Sequence, residues 1–307
     1  MSGVTDSRDP RDDRARAWSD GLRRALADLL GPRAGDVWAT GSVGRGEAVP
    51  GSDLESLAVV SDPGLSRAVR HAVAAADLSA APWFAETSAA SAGDPRLVRT
   101  ADDWRAAALG WAADPARDLG VVHLGLLADA RPLAEGAADP GLLPGLAVDA
   151  VRAHPAVLAD VLADALATRA AVPSRLTRAL RADPVVDLKA AVLTPVVKLA
   201  RWAALRAGVT ATATGTRLEA AADPDVLPAD AWAGLREAAR AAARIRWDVR
   251  LRAGGEGDGG GPGADAVPLS ALTSSERAGL RAAAREIAGA QRTLDYLRSA
   301  GGLRDLP

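Results

Sequence analysis

The 307-residue chain contains no cysteine, which excludes disulfides, zinc–thiolate sites and thiol nucleophiles. Aromatic residues make up only 3% of it against 49% hydrophobic residues, so the core must be built from Ala, Leu and Val, a composition that favours close-packed helices. No stretch approaches the roughly 20 uninterrupted apolar residues needed to cross a bilayer. The opening MSGVTDSRDPRDDRARAW is charged and lacks the apolar centre of a signal peptide, so the expectation is a cytoplasmic protein with no membrane partner. A large excess of charge of either sign is also missing. A formal net charge of −2 argues against a protein that holds nucleic acid along a basic face. The three histidines, His71, His123 and His154, lie far apart without metal-ligand spacing.

The segment Val37 to Val60, VWATGSVGRGEAVPGSDLESLAVV, carries the chemistry. Val37 to Thr40 reads as a short buried strand that Gly41-Ser42 breaks, and Val43 to Glu47 as one helical turn. Glycine at 41 lets backbone approach a ligand closely, the amides after it favour a phosphate, Ser42 adds a hydroxyl and Arg45 a positive fork. Pro50-Gly51-Ser52 is a turn signal returning the chain into a strand from Leu54 to Val60. Strand side chains alternate, so Asp53 and Glu55 share one face. Two carboxylates so close repel unless a cation lies between them, and hard oxygen donors suit Mg²⁺ or Mn²⁺ carried on phosphates. The bland alternative is turn chemistry followed by a solvated strand edge.

With those residues in view, the segment resembles the nucleotidyltransferase superfamily, whose signature is Gly-Ser followed by Asp-x-Asp/Glu. GSVGRGEAVPGSDLE is most similar to the N-terminal domain of the PII-protein uridylyltransferases and to related bacterial nucleotidyltransferases of unknown substrate. Thr100 to Arg105, Gly125 to Leu133 and Asp187 to Arg201 resemble segments of the second group in the same order, extending the likeness over about Ala15 to Gly301.

The resemblance implies a metal site completed by a third carboxylate, matched by Asp129, and metal-assisted displacement at the α-phosphorus of a nucleoside triphosphate. In that scheme Asp53, Glu55 and Asp129 hold Mg²⁺ or Mn²⁺ and Asp129 is a candidate proton acceptor. Gly41, Ser42 and Arg45 hold phosphates, and Lys189 and Arg201 of the helical part reach phosphate or base. Glu47 pairs with Arg45. Aspartate is more usual than glutamate at position 55. The acceptor would be a hydroxyl of a protein or small molecule, and a partner chain would supply sensing. No His-Asp dipeptide occurs, so the reversing metal domain of full-length PII uridylyltransferases has no counterpart. A rival reading is a catalytically weak nucleotide-binding regulator acting through a partner; a third is an antibiotic-modifying nucleotidyltransferase.

The expected architecture is an α/β (α+β) nucleotidyltransferase domain with a small mixed sheet, residues 14–140, followed by an all-α helical bundle, residues 141–307. Residues 1–13 read as disordered and Gly254 to Ala266, GGEGDGGGPGADA, as a flexible linker. In the first part, helices are expected at Arg14 to Leu30 with Trp18, Leu22, Leu26 and Leu29 inward, near Leu65 to Ala76, and at Ala101 to Ala112 capped by Thr100. Val121 to Ala128 reads as a buried strand ending at Asp129. Beyond Gly141 no strand pattern appears. Helices are expected at Leu142 to Ala153, Pro155 to Ala171, Val185 to Ala207 with a break at Pro195, Thr216 to Ala222, Ala229 to Arg252 and Ser274 to Ala300. The arginines from Arg236 to Arg252 read as a solvated face.

Overall fold

A computed structural model describes residues 10–75, 89–90, 97–134, 139–173, 183–254 and 265–301. The sheet is built on β1 (Val37–Thr40) and β2 (Leu54–Val59), antiparallel in a register that sets Thr40 opposite Glu55. β2 also pairs in parallel with β3 (Ala89–Ala90) and β4 (Val98–Arg99), while β5 (Arg131–Pro132) runs antiparallel on the other edge of β1. The sheet is therefore small and mixed.

All four residues of β1 are buried because both faces of the sheet are covered. Val37, Ala39, Leu54 and Ala58 point to one side, into a cluster with Leu22, Leu26 and Leu30 of α1 (Pro10–Leu30) and Val69 and Val73 of α3 (Ser66–Ala75). Trp38 and Leu57 alternate to the other side, where they meet Trp104 of α4 (Ala101–Ala113) and Leu124 and Leu127 of α5 (Gly120–Ala128). That second core runs on without interruption into the C-terminal helices. Thr100 caps α4 by accepting from the Asp103 amide, as expected, and the Trp104 Nε1–H donates to the carbonyl of Ala58 at 2.8 Å, pinning α4 to β2.

Several expectations are corrected. α1 begins at Pro10, inside the stretch expected to be disordered, and residues 1–9 lie outside the described residues. Its inward face carries Leu30 in place of Leu29, which is exposed. The largest correction is Val121 to Ala128, a helix and not a strand. Gly120 brings α5 against the backbone of Trp111 and Pro115, and Gly125 leaves room for Arg201. Its one exposed residue, Val122, is apolar, so the helix shows no polar face and its apolar run has the same appearance as a buried strand.

In the C-terminal half, α6 (Leu142–Ala153), α7 (Val157–Ala167), α8 (Thr194–Ala207), α9 (Thr214–Ala220), α10 (Ala229–Gly254) and α11 (Ser274–Ser299) pack around the larger core. Here the helix expected from Val185 is corrected to three pieces. β6 (Val185–Asp187) pairs antiparallel with β7 (Ala266–Pro268), and a π-helical turn over Lys189–Leu193 leads into α8. Pro195 explains the wide turn, because it has no N–H to offer the carbonyl of Ala191; that carbonyl accepts from the Ala171 amide at 3.1 Å. Of the expected linker, residues 255–264 lie outside the described residues, while Asp265 is buried and Ala266 begins β7. No helix among the described residues is long and apolar enough to cross a membrane.

Candidate functional site

Between the sheet and the C-terminal helices lies a cleft of about 990 Å³. One wall is made where β1 ends. Gly41 takes φ 60°, and its α-carbon lies so close to the Glu55 carboxylate that a methyl group there would collide with it. The five-residue α2 (Gly41–Arg45) follows and is ended by Gly46 at φ 73°, after which the Glu47 amide bonds back to the Ser42 carbonyl at 2.8 Å. Thr40 ties this wall to α5 through a 2.6 Å bond from its hydroxyl to the Leu126 carbonyl. Asp53 immediately precedes β2, so it and Glu55 enter the cleft from the same side of the strand. Glu55 has no side-chain hydrogen bond or ion pair among the described residues.

Gly44 is the closest backbone contact in this wall. A methyl group at 44 would run into the carbonyl oxygens of Asp129 and Ala39, neither of which can rotate away. Gly44→Ala is therefore expected to lower stability by about 1–3 kcal/mol through overpacking, read as a fall in the urea midpoint at unchanged slope.

The opposite wall comes from the C-terminal half: Lys189 in the π-helical turn, Thr194, Lys198 and Arg201 on α8, Thr214 on α9, and Glu237, Arg240 and Arg244 on α10. Lys189 and Arg240 are exposed and have no ion-pair partner among the described residues, whereas Lys198 pairs with Asp164 at 2.8 Å. All eight residues expected to form the site, Gly41, Ser42, Arg45, Asp53, Glu55, Asp129, Lys189 and Arg201, line this one cleft.

Asp129 does not join the other two acids. It caps the C-terminus of α5, wholly buried, and each of its oxygens accepts from two guanidiniums. Oδ1 takes Arg217 Nη1 at 2.6 Å and Arg201 Nε at 3.4 Å; Oδ2 takes Arg45 Nη1 at 2.5 Å and Arg201 Nη2 at 2.6 Å. Burial alone would raise the carboxyl's pKa, but Arg201, Arg45 and Arg217 override it and hold the group well below the usual carboxylate range. Burial also works against the charge on Arg45, and there Asp129 and Glu47 prevail and raise its pKa. Arg217 shifts the other way, because burial and the neighbouring Arg201 and Arg45 outweigh the pull of Asp129. It stays protonated all the same, since a guanidinium starts above about 12. Among the described residues, no group of three or more acidic or histidine side chains is placed to hold a metal ion. The three acids expected as a ligand set are therefore not assembled together among the described residues: Asp53 and Glu55 line the cleft, while the oxygens of Asp129 are taken by guanidiniums. The carboxylate oxygens of Asp53 and Glu55 are of the hard donor type that suits Mg²⁺ or Mn²⁺.

Glu47 pairs with Arg45 at 2.9 Å, as expected, and its other oxygen accepts from the Thr214 amide at 2.6 Å. Arg217 was not legible in the sequence: its partner is 88 residues away, and its three bonds, to Asp129, to the Ala128 carbonyl and to the Ala211 carbonyl, follow from no local spacing. A second buried hub was missed as well. Arg246 forms a bidentate pair with Asp265 at 2.7 and 2.9 Å and Arg250 approaches the same carboxylate at 3.3 Å, so two of the arginines expected to be solvated are buried. The family model described as "putative nucleotidyltransferase substrate binding domain" matches residues 155–297. This match supports a nucleotidyltransferase-related family. No curated protein matches the chain. The matched segment runs from α7 into α11 and so includes the cleft wall that carries Lys189, Arg201 and Arg240, together with the anchor Arg217.

Proposed function

We propose that the cleft binds a nucleoside triphosphate and transfers its nucleoside monophosphate to a hydroxyl of a protein or small-molecule acceptor, in the manner of the PII-protein uridylyltransferases. The observation that carries this reading is the position of Glu55. Its carboxylate has no partner among the described residues, lies against Gly41 and stands beside Asp53, across a cleft from a wall related to nucleotidyltransferase substrate binding. Asp53 and Glu55 would hold Mg²⁺ or Mn²⁺, which supplies neutralisation of the triphosphate charge. Gly41 lets the backbone approach the phosphates without a side chain intervening, Ser42 adds a hydroxyl, and the N–H groups of Arg45 and Arg201 not given to acids are available to anionic oxygens. The acceptor oxygen bonds to the α-phosphorus, the bond from that phosphorus to the β-phosphate oxygen breaks, pyrophosphate leaves and the hydroxyl proton is lost to water. Asp129, held far below the ordinary carboxylate range by three arginines, is a poor proton acceptor and is given no such role.

A second reading has its own support. Among the described residues no group of three or more acids is placed to hold a metal ion, which suits a regulator that binds a nucleotide and signals through a protein partner. The two are separated by incubating the protein with each labelled nucleoside triphosphate, Mg²⁺ or Mn²⁺, and candidate acceptors or cell extract, for wild type and Asp53→Asn. Transfer of label that disappears in the variant is the expected result. Binding without transfer favours the regulator, and neither binding nor transfer removes both.

A further inference from the structure

We infer that Asp129 is a positioning residue, which gathers Arg45 and Arg201 into a phosphate-receiving pair at the floor of the cleft and holds no metal ion. The inference rests on the nucleotide-binding reading above and names what one of its acids does. Three guanidiniums meet at this carboxylate, brought from α2, α8 and α9, and unaided they would repel one another. Arg217 has all three of its nitrogens committed, to Asp129 and to two backbone carbonyls, and is 1% exposed; it anchors the hub from behind. Arg45 and Arg201 differ. Each lines the cleft, each keeps a terminal nitrogen out of the bonds to acids, Nη2 in Arg45 and Nη1 in Arg201, and each is partly open to solvent. With Glu47 included, three cations against two carboxylates leave the hub with one net positive charge, the sign a phosphate requires.

A metal ligand and a positioning residue respond differently to removal of the metal. Binding of UTP, and of the other ribonucleoside triphosphates, is measured by equilibrium dialysis in excess EDTA. Binding of Mn²⁺ to the protein in the presence of saturating nucleotide is followed separately by its magnetic resonance signal. Asp129→Asn is expected to weaken metal-free nucleotide binding at least tenfold and to leave the Mn²⁺ midpoint within about twofold, while Asp53→Asn shifts the Mn²⁺ midpoint at least tenfold. Arg201→Gln, which retains the Arg217–Asp129 anchor, should reproduce the loss of metal-free affinity, and the Asp129→Asn/Arg201→Gln double variant should lose little more than either single one. If Asp129→Asn does not fold, Arg201→Gln and Arg45→Gln carry the test, and unchanged metal-free affinity in both overturns the inference. A Mn²⁺ midpoint that moves as far in Asp129→Asn as in Asp53→Asn overturns it too. Failure of the wild type to bind any nucleoside triphosphate is a different outcome: it removes the nucleotide-binding reading itself.

Discussion

Asp129→Ala is expected to cost the folded chain about 3–5 kcal/mol, the usual penalty when one partner of a buried charge cluster is removed and the rest stay buried. Three guanidiniums converge on this carboxylate, and Arg217 has no route to water. Without Asp129 they repel one another: Arg45 and Arg201 can swing into the cleft, but Arg217, 1% exposed on α9, stays buried without its counter-charge. The loss should therefore appear as a lower urea midpoint and a loosened junction between the sheet and the C-terminal helices. The pH dependence has a definite sign. The Asp129 pKa is depressed in the folded state, so its contribution is fully present above the unfolded value of about 4 and is lost as pH falls below it toward the lower folded value. The wild-type midpoint should thus fall on acidification below about pH 4, and the difference between wild type and Asp129→Ala should narrow over the same range. Asp265 is depressed in the same direction, with burial overridden by Arg246 and Arg250, and adds to the acid sensitivity of both proteins.

Glu55→Gln is expected to reduce nucleotidyl transfer by about two to three orders of magnitude while leaving stability unchanged within about 0.5 kcal/mol. Stability is spared because Glu55 makes no side-chain hydrogen bond or ion pair among the described residues, and glutamine occupies nearly the same space. Activity is not, because the substitution removes half of the acidic pair while leaving the strand, the glycine turn and the arginines in place. Glu55→Asp asks a finer question. It keeps the charge but withdraws it by one methylene from Gly41, so it should retain transfer within about tenfold if the bound cation sits between 53 and 55. Equal collapse of both variants would mean that the position of the carboxylate against Gly41, and not its charge, is what matters.

The part of the fold legible in the sequence is the part governed by short-range rules. Val37 to Thr40 followed by a glycine, Pro50-Gly51 ahead of an apolar run, and Thr100 three residues before Asp103 each reported a strand, a turn or a cap directly. α5 was illegible because even its exposed position, Val122, is apolar, so the helix lacks the polar face that gives periodicity its meaning. β6 and β7 are three residues each and gain their pairing from opposite ends of a connection about 80 residues long, so neither announces itself locally. The site divides in the same way. Gly41, Ser42, Asp53 and Glu55 could be grouped from sequence because they lie within one turn and the start of one strand. The fate of Asp129 was set by Arg201 and Arg217, whose distance in sequence, 72 and 88 residues, hides the ion pairs that claim its oxygens.

Calorimetric titration of the wild-type chain with each of the four ribonucleoside triphosphates in Mg²⁺, set beside the Asp53→Asn/Glu55→Gln double variant, tests the central claim most directly. The account predicts saturable binding of at least one of them, one per chain, and at least a hundredfold loss in the double variant. Binding of none, or equal binding by the wild type and the double variant, would contradict it.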